Sequence, residues 1–262
     1  MTILYKYRSV TPYTAPMLKE GTIWAATPGT LNDPHETRAE IFTSYIDGIE
    51  ALEKRQLLAT YMLALEHAKG RPTFFGLSGK HKKKFEQDIR NARPDAIDYL
   101  LDLFERARKS APISWEPSSI KDTIQALKRT LAGIGVISLA EEIGNALMWA
   151  HYANSHTGFC LGFEYDGNTA LSQGYTCGAV QYSQFYPALA IDKLEMQANI
   201  NIDLAHKTAR RDLSFDITNP VLYDIIHTKS QEWSYEKEWR VVGPRGDLAI
   251  PYPLPLKEIV FG

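Results

Sequence analysis

Strand-patterned segments stand at both ends of this 262-residue chain, and helix-patterned segments fill the interval between them. ILYKY at 3–7 and TIWAA at 22–26 are β-branched and aromatic runs bounded by turn formers, and strand character returns in IGVISL at 134–139, GFCLGFEY at 158–165 and the closing EIVFG. From about 44 to 132 the period changes, as Ile97, Leu101, Phe104 and Ala107 recur at helical spacing and Ile120, Ile124, Leu127 and Leu131 do likewise. This order points to an α+β fold rather than a regular parallel α/β array. We expect one domain over 1–262 with a helical insertion at 44–132. NALMWAHYANSH reads as a helix, GFCLGFEY as a half-buried strand, the stretch from about 187 to 229 as helical, and WSYEKEWRVVG as a loop running into a strand.

Charge and cysteine usage narrow the function classes. A net charge of −2 argues against broad adhesion to nucleic acid or to anionic membrane, both of which need a basic excess. The concentrated basic run is Lys80-His81-Lys82-Lys83-Lys84, joined by Arg90 and Arg93, and reads either as a soluble helix start or as a phosphate-facing surface. No eighteen apolar residues run together and the first residues lack the pattern of a leader, so no membrane association and a cytoplasmic location are expected. Cys160 and Cys177 form no C-x-x-C pair, which fits a reducing compartment. Neither G-x-G-x-x-G nor a Walker loop is present, and no nucleophile elbow supports a Ser-His-Asp hydrolase.

Four short segments carry the polar chemistry. Arg8 ends the first strand, and Asn32, Asp33 and Glu36 crowd the loop LNDPHE, where Asx-type turns alone would also explain them. Trp149, His151 and Tyr152 could stack on a nicotinamide or a base, or simply pack a core. Glu236 and Glu238 precede Trp-Arg and, in an extended segment, would point to one side as an acid pair, with a solvated strand face as the plain alternative. His151, His156 and Cys160 lack the spacing of a zinc site, and no metal is expected from them.

YKYRS, LNDPHE, LMWAHYANSHTGFCLGFEY and KSQEWSYEKEWRVV together resemble the bacterial "domain of unknown function 2971" family (DUF2971) over nearly the whole chain, with Leu31 where an aromatic is usual. More remotely, Arg8, Ser138 on a middle strand, and the Glu236-x-Glu238 pair are similar to the mono-ADP-ribosyltransferase pattern. That resemblance implies an ADP-ribosyltransferase-like split of small antiparallel sheets with an inserted helical lobe. It also implies NAD as substrate in the cleft, Arg8 on its phosphates, Ser138 ordering the site, Glu238 on the nicotinamide ribose and Glu236 acting on the acceptor. Tyr5 and Tyr7 beside Arg8, Asn32, Asp33, Trp149, His151 and Tyr152 are the further NAD-binding candidates. The implied activity is NAD-dependent ADP-ribosyl transfer to a macromolecule, protein or nucleic acid, or NAD hydrolysis, in a toxin or phage-defence setting, with a regulatory partner protein as a further expectation. Two alternatives stay open. One is a metal-dependent nuclease holding Mg²⁺ on Asp33, Glu36 and a late Glu; the other is a non-enzymatic binding module.

Overall fold

The computed structural model describes residues 1–32, 46–74, 77–93, 95–109, 114–115, 120–167, 171, 174–185, 187, 196–203, 205 and 208–262. Two compact units divide the chain. The first comprises Met1–Ile41, Arg129–Ala190 and Asp216–Gly262, and the second Phe42–Lys128 and Ile191–Phe215.

The chain opens with β1 (Thr2–Arg8), α1 (Thr14–Glu20) and β2 (Thr22–Ala25). Next come α2 (Ile46–His67), β3 (Thr73–Phe74), β4 (Leu77–Ser78), α3 (Gly79–Asn91), α4 (Ile97–Lys109), β5 (Ser114–Trp115) and α5 (Ile120–Gly133). β6 (Gly135–Ala140), α6 (Ala146–Tyr152), β7 (Phe159–Tyr165), β8 (Thr176–Ala179) and β9 (Gln181–Ser183) precede the pair β10 (Met196–Asp203) and β11 (Thr208–Phe215). The last stretch holds α7 (Pro220–Ile226), β12 (Thr228–Ser230), β13 (Glu238–Gly243), β14 (Leu248–Pro251) and β15 (Leu256–Phe261). Small, mostly antiparallel sheets combined with helices make this an α+β chain.

In the first unit six strands order as β15-β7-β1-β6-β13-β8, and every pairing among them is antiparallel. β7 is not the half-buried strand its alternation suggests. Phe159, Leu161 and Phe163 join Leu4, Ile137, Leu139 and Val241 in one core cluster, while Cys160 joins Tyr7, Met148, Trp149 and Ala153 in another. A strand paired on both edges and covered on both faces has no solvent side, and each large apolar side chain buried this way contributes about 1.5–3 kcal/mol. Helix α6 is shorter than its sequence suggests, because Ala153 leaves the helical conformation after Tyr152 and Asn154, Ser155 and His156 then turn into positive φ. Its start is capped by Asn145, whose Oδ1 accepts from the Leu147 and Met148 N–H groups at 3.0 and 3.3 Å.

Gly158 joins the end of this turn to the backbone of β1. A Cβ there would lie 2.2 Å from the Arg8 carbonyl oxygen and 2.8 Å from that of Ala153. Both are backbone atoms that cannot swing aside, so Gly158→Ala is expected to destabilise the protein by about 2 kcal/mol. A urea titration followed by circular dichroism checks this; an unchanged midpoint would mean that the Arg8 segment shifts freely.

The second unit has an aromatic core in which Tyr61 stacks on Phe104 at a centroid distance of 5.0 Å and Phe85 meets Phe104 edge-on at 5.3 Å. Phe104 and Ala107 of the helical repeat are buried here, as their spacing requires. Within the basic run, Lys82 turns inward and donates to the Ala68 and Arg71 carbonyls at 3.3 and 2.5 Å, while Lys80, His81, Lys83 and Lys84 stay exposed. Lys82 thereby satisfies carbonyls at and just beyond the C-terminal end of α2. The helical reading of 187–229 fails for its middle, which is the antiparallel hairpin β10–β11, paired from Met196↔Phe215 to Asp203↔Thr208. MQANINID alternates apolar and polar residues, a period of two that outweighs its helix-compatible composition. Among the described residues no helix is long and apolar enough to cross a membrane.

Candidate functional site

A pocket of about 360 Å³ opens on the first unit between β1 and β6. Its volume lies within the range of small-molecule sites. The two strands pair at Tyr5↔Ala140, whereas β1 pairs with β7 from Thr2↔Tyr165 to Arg8↔Phe159. As β1 and β6 part, a side chain takes over from the backbone ladder: Lys6 Nζ donates to the Ser138 carbonyl at 2.8 Å. The separated strands bring Lys6, Arg8 and Ser138 to the wall, and Asn32, Tyr152, Lys229, Glu236 and Glu238 line it as well.

The two glutamates meet by a different route from the extended segment expected. Gln231–Glu236 form a 3₁₀ turn, Lys237 adopts the left-handed conformation at φ 44°, and β13 begins at Glu238. An exposed Lys237 pairs with Glu142 at 2.5 Å and leaves its neighbours to turn inward. Lys229 Nζ then bridges them, 2.7 Å from Glu236 Oε2 and 2.9 Å from Glu238 Oε2. Glu238 Oε1 accepts from Arg240 Nε at 2.9 Å, and Arg240, fully buried, also donates to the Ile226 carbonyl at 2.5 Å. Tyr152 donates to Glu236 Oε1 at 2.5 Å, and Asn32 Nδ2 donates to the Tyr152 oxygen. The Glu238 N–H donates to Tyr182 Oη at 2.7 Å. A hydrogen-bonded chain thus runs from exposed Asn32 to the buried guanidinium of Arg240.

Burial alone would raise the Glu238 pKa, but Arg240 and then Lys229, with hydrogen bonds from Arg240 and Ser138, bring it down to about 2. Glu238 is therefore a permanent anion at neutral pH. Burial first, and Glu236 second, push the Tyr152 phenol up, so Tyr152 stays a donor. Lys6 is lowered to about 8, first by burial and then by the adjacent Arg8 charge. Burial likewise lowers Arg8. Among the described residues the Arg8 side chain has no hydrogen-bond or ion-pair partner, although the residue is half-buried. The Cys160 and Cys177 thiols are pushed up to about 12 by burial, which removes both as nucleophiles at neutral pH.

Of the residues singled out from sequence, Tyr5, Tyr7, Arg8, Asn32, Ser138, Tyr152, Glu236 and Glu238 all line this pocket. The hydroxyls of Tyr5 and Tyr7 are already engaged, with Glu258 Oε1 at 3.0 Å and the Glu142 carbonyl at 2.7 Å. Trp149 and His151 are not on the wall. Trp149 packs edge-on against Tyr7 at 5.3 Å and donates to the Ile143 carbonyl at 2.7 Å, and His151 is exposed. On a short helix against a sheet, the position holding the core is unavailable to a ligand, and its neighbour two residues on faces water. Asp33 and Glu36 lie outside the described residues. Among the described residues no group of three or more His, Cys, Asp or Glu is placed to hold a metal ion.

Sequence reasoning missed Lys6, Lys229 and Arg240. A signal existed for two of them, since Lys6 and Arg8, and Glu238 and Arg240, stand two apart on strands and so share a side. Lys229 had none, because its place depends on β12 pairing in parallel with β9 at Lys229↔Tyr182.

Residues 148–241, which include Tyr152, Lys229, Glu236, Glu238 and Arg240, match the family described as Protein of unknown function (DUF2971). That match supports the DUF2971 membership read from the sequence. Arg8, Asn32 and Ser138 fall outside the DUF2971 segment and complete the pocket around it. No curated protein and no solved structure matches the chain significantly.

Proposed function

We propose that the pocket binds NAD and that the protein transfers ADP-ribose from it to a macromolecular acceptor. The reading is carried by one observation: the half-buried Arg8 lines the pocket without a counter-charge among the described residues. Deeper in, the charges of Glu236 and Glu238 balance those of Lys229 and Arg240. Among the described residues Lys6 and Arg8 are then surplus, and two such cations favour an anion; the pyrophosphate of a dinucleotide supplies two negative charges.

Supporting an ADP-ribosyltransferase-like reading, β1 and β6 part within the six-stranded sheet and open a cleft that could receive such a ligand. As the glycosidic C–N bond breaks, nicotinamide leaves with the electron pair, positive charge develops on the ribose, and a nucleophile of the acceptor bonds to that ribose carbon and gives up its proton to solvent. Carboxylates already fixed nearby lower that barrier electrostatically, without reorganising during the reaction. Glu238 serves as such a fixed charge, not as a base, since its proton affinity is too low.

Calorimetric titration with NAD, together with nicotinamide release in the presence of cell lysate and nucleic acid, tests the proposal. Arg8→Ala is expected to weaken NAD binding about 10- to 100-fold, the worth of one charge-assisted phosphate contact. Glu238→Gln should abolish nicotinamide release. Wild-type protein that neither binds NAD nor releases nicotinamide would sink the reading and favour a binding module.

A further inference from the structure

We propose that Lys229 is the positioning residue of this site: its ammonium, bonded to one oxygen of each, holds the Glu236 and Glu238 carboxylates side by side as a pair of fixed negative charges. One oxygen of each carboxylate lies within 3 Å of the same nitrogen, at 2.7 and 2.9 Å. The three side chains are 4%, 4% and 2% exposed for Lys229, Glu236 and Glu238, so water screens nothing between them. Two carboxylates this close in a buried site repel one another, and removing the cation bonded to both favours proton uptake by one of them.

Several elements hold the ammonium in place. β12 presents Lys229 beside Tyr182 of β9, and the Trp233 ring lies 4.9 Å from Nζ, where an aromatic face favours a cation. Among the described residues the other ionisable groups facing the pair include Tyr152 from α6, Tyr182 from β9, Tyr235 from the 3₁₀ turn, Arg240 from β13, Lys6 from β1 and His227 at the end of α7. Lys6 bonds the Ser138 carbonyl and Arg240 grips both oxygens of Glu238 at 2.9 and 3.3 Å, whereas Lys229 bonds both carboxylates. Lys229 need not touch a ligand for this role. It acts through the two acids.

The inference bears on catalysis only through the NAD reading, but its test does not need NAD. Protein labelled with ¹³C at the glutamate carboxyl carbons is titrated by NMR as wild type, Lys229→Met, Lys229→Arg and the double variant Lys229→Met/Glu236→Gln. Lys229→Met is expected to gain one glutamate carboxyl that titrates above about pH 6. That resonance should be absent in wild type and in Lys229→Arg, and absent again once Glu236→Gln removes the surplus charge. A Lys229→Met protein whose glutamates all titrate as in wild type overturns the proposal. If Lys229→Met does not fold, the double variant decides: recovered cooperative unfolding supports an electrostatic role, and a double variant as unfolded as the single one overturns it. NAD binding lost from the wild type's record while the NMR pattern holds would remove the NAD reading and leave this inference standing.

Discussion

Arg240→Ala is expected to cost about 3–5 kcal/mol of folding stability at pH 7, the largest loss foreseen for a single substitution here. Arg240 is 0% exposed, and its guanidinium meets Glu238 Oε1 at 2.9 Å, Glu238 Oε2 at 3.3 Å and the Ile226 carbonyl at 2.5 Å. Alanine leaves Glu238 with a buried charge that Lys229 already shares with Glu236, and leaves the Ile226 carbonyl short of a donor. Arg240→Met combined with Glu238→Gln removes both members of the ion pair and should cost clearly less, because no uncompensated charge stays behind. Urea midpoints of the three proteins check this. Equal losses for the single and double variants would mean that packing, not charge, is what Arg240 supplies.

Stability is expected to fall as the pH drops from about 4.5 to about 2, with Glu238 alone responsible for on the order of 3 kcal/mol of the decline. The direction follows from linkage. The Glu238 carboxyl in the folded protein holds its proton less tightly than in the unfolded chain, so the unfolded chain binds more protons throughout that window. The stabilisation is complete above the ordinary value of 4.5 and is lost as pH falls through the folded value. His227, the buried residue that ends α7, adds a smaller effect of the same sign nearer neutrality, since burial lowers its pKa below the ordinary 6.5. Urea unfolding of wild type and Glu238→Gln from pH 7 to pH 2 isolates the carboxyl contribution as the difference between the two curves. Parallel curves would show that Glu238 is not held as a buried anion.

Much of the site lies close to the surface of the sequence. Tyr5, Lys6, Tyr7 and Arg8 announce a polar strand by composition alone, and Glu238 with Arg240 announces an ion pair by the strand period. The aromatic helix was harder to read. Trp149 and Tyr152 have the same local signature, yet Trp149 packs against Tyr7 while Tyr152 bonds Glu236, a difference set by which side of α6 meets the sheet. Segment 196–215 forms a hairpin rather than the helix expected over 187–229, since strand propensity is expressed only once a partner strand is present.

The sequence by itself determined the α+β class, the strands that border the pocket and, among its charged groups, Arg8, Glu236 and Glu238, because periodicity and composition are local properties. Only the tertiary structure decided that β1 and β6 part after Tyr5↔Ala140, that Lys237 turns out so Glu236 and Glu238 turn in, and that Lys229 stands between them. Each of these depends on pairings between residues far apart in the chain, whose register is set by the packing of the whole unit and leaves no period in the sequence to be read.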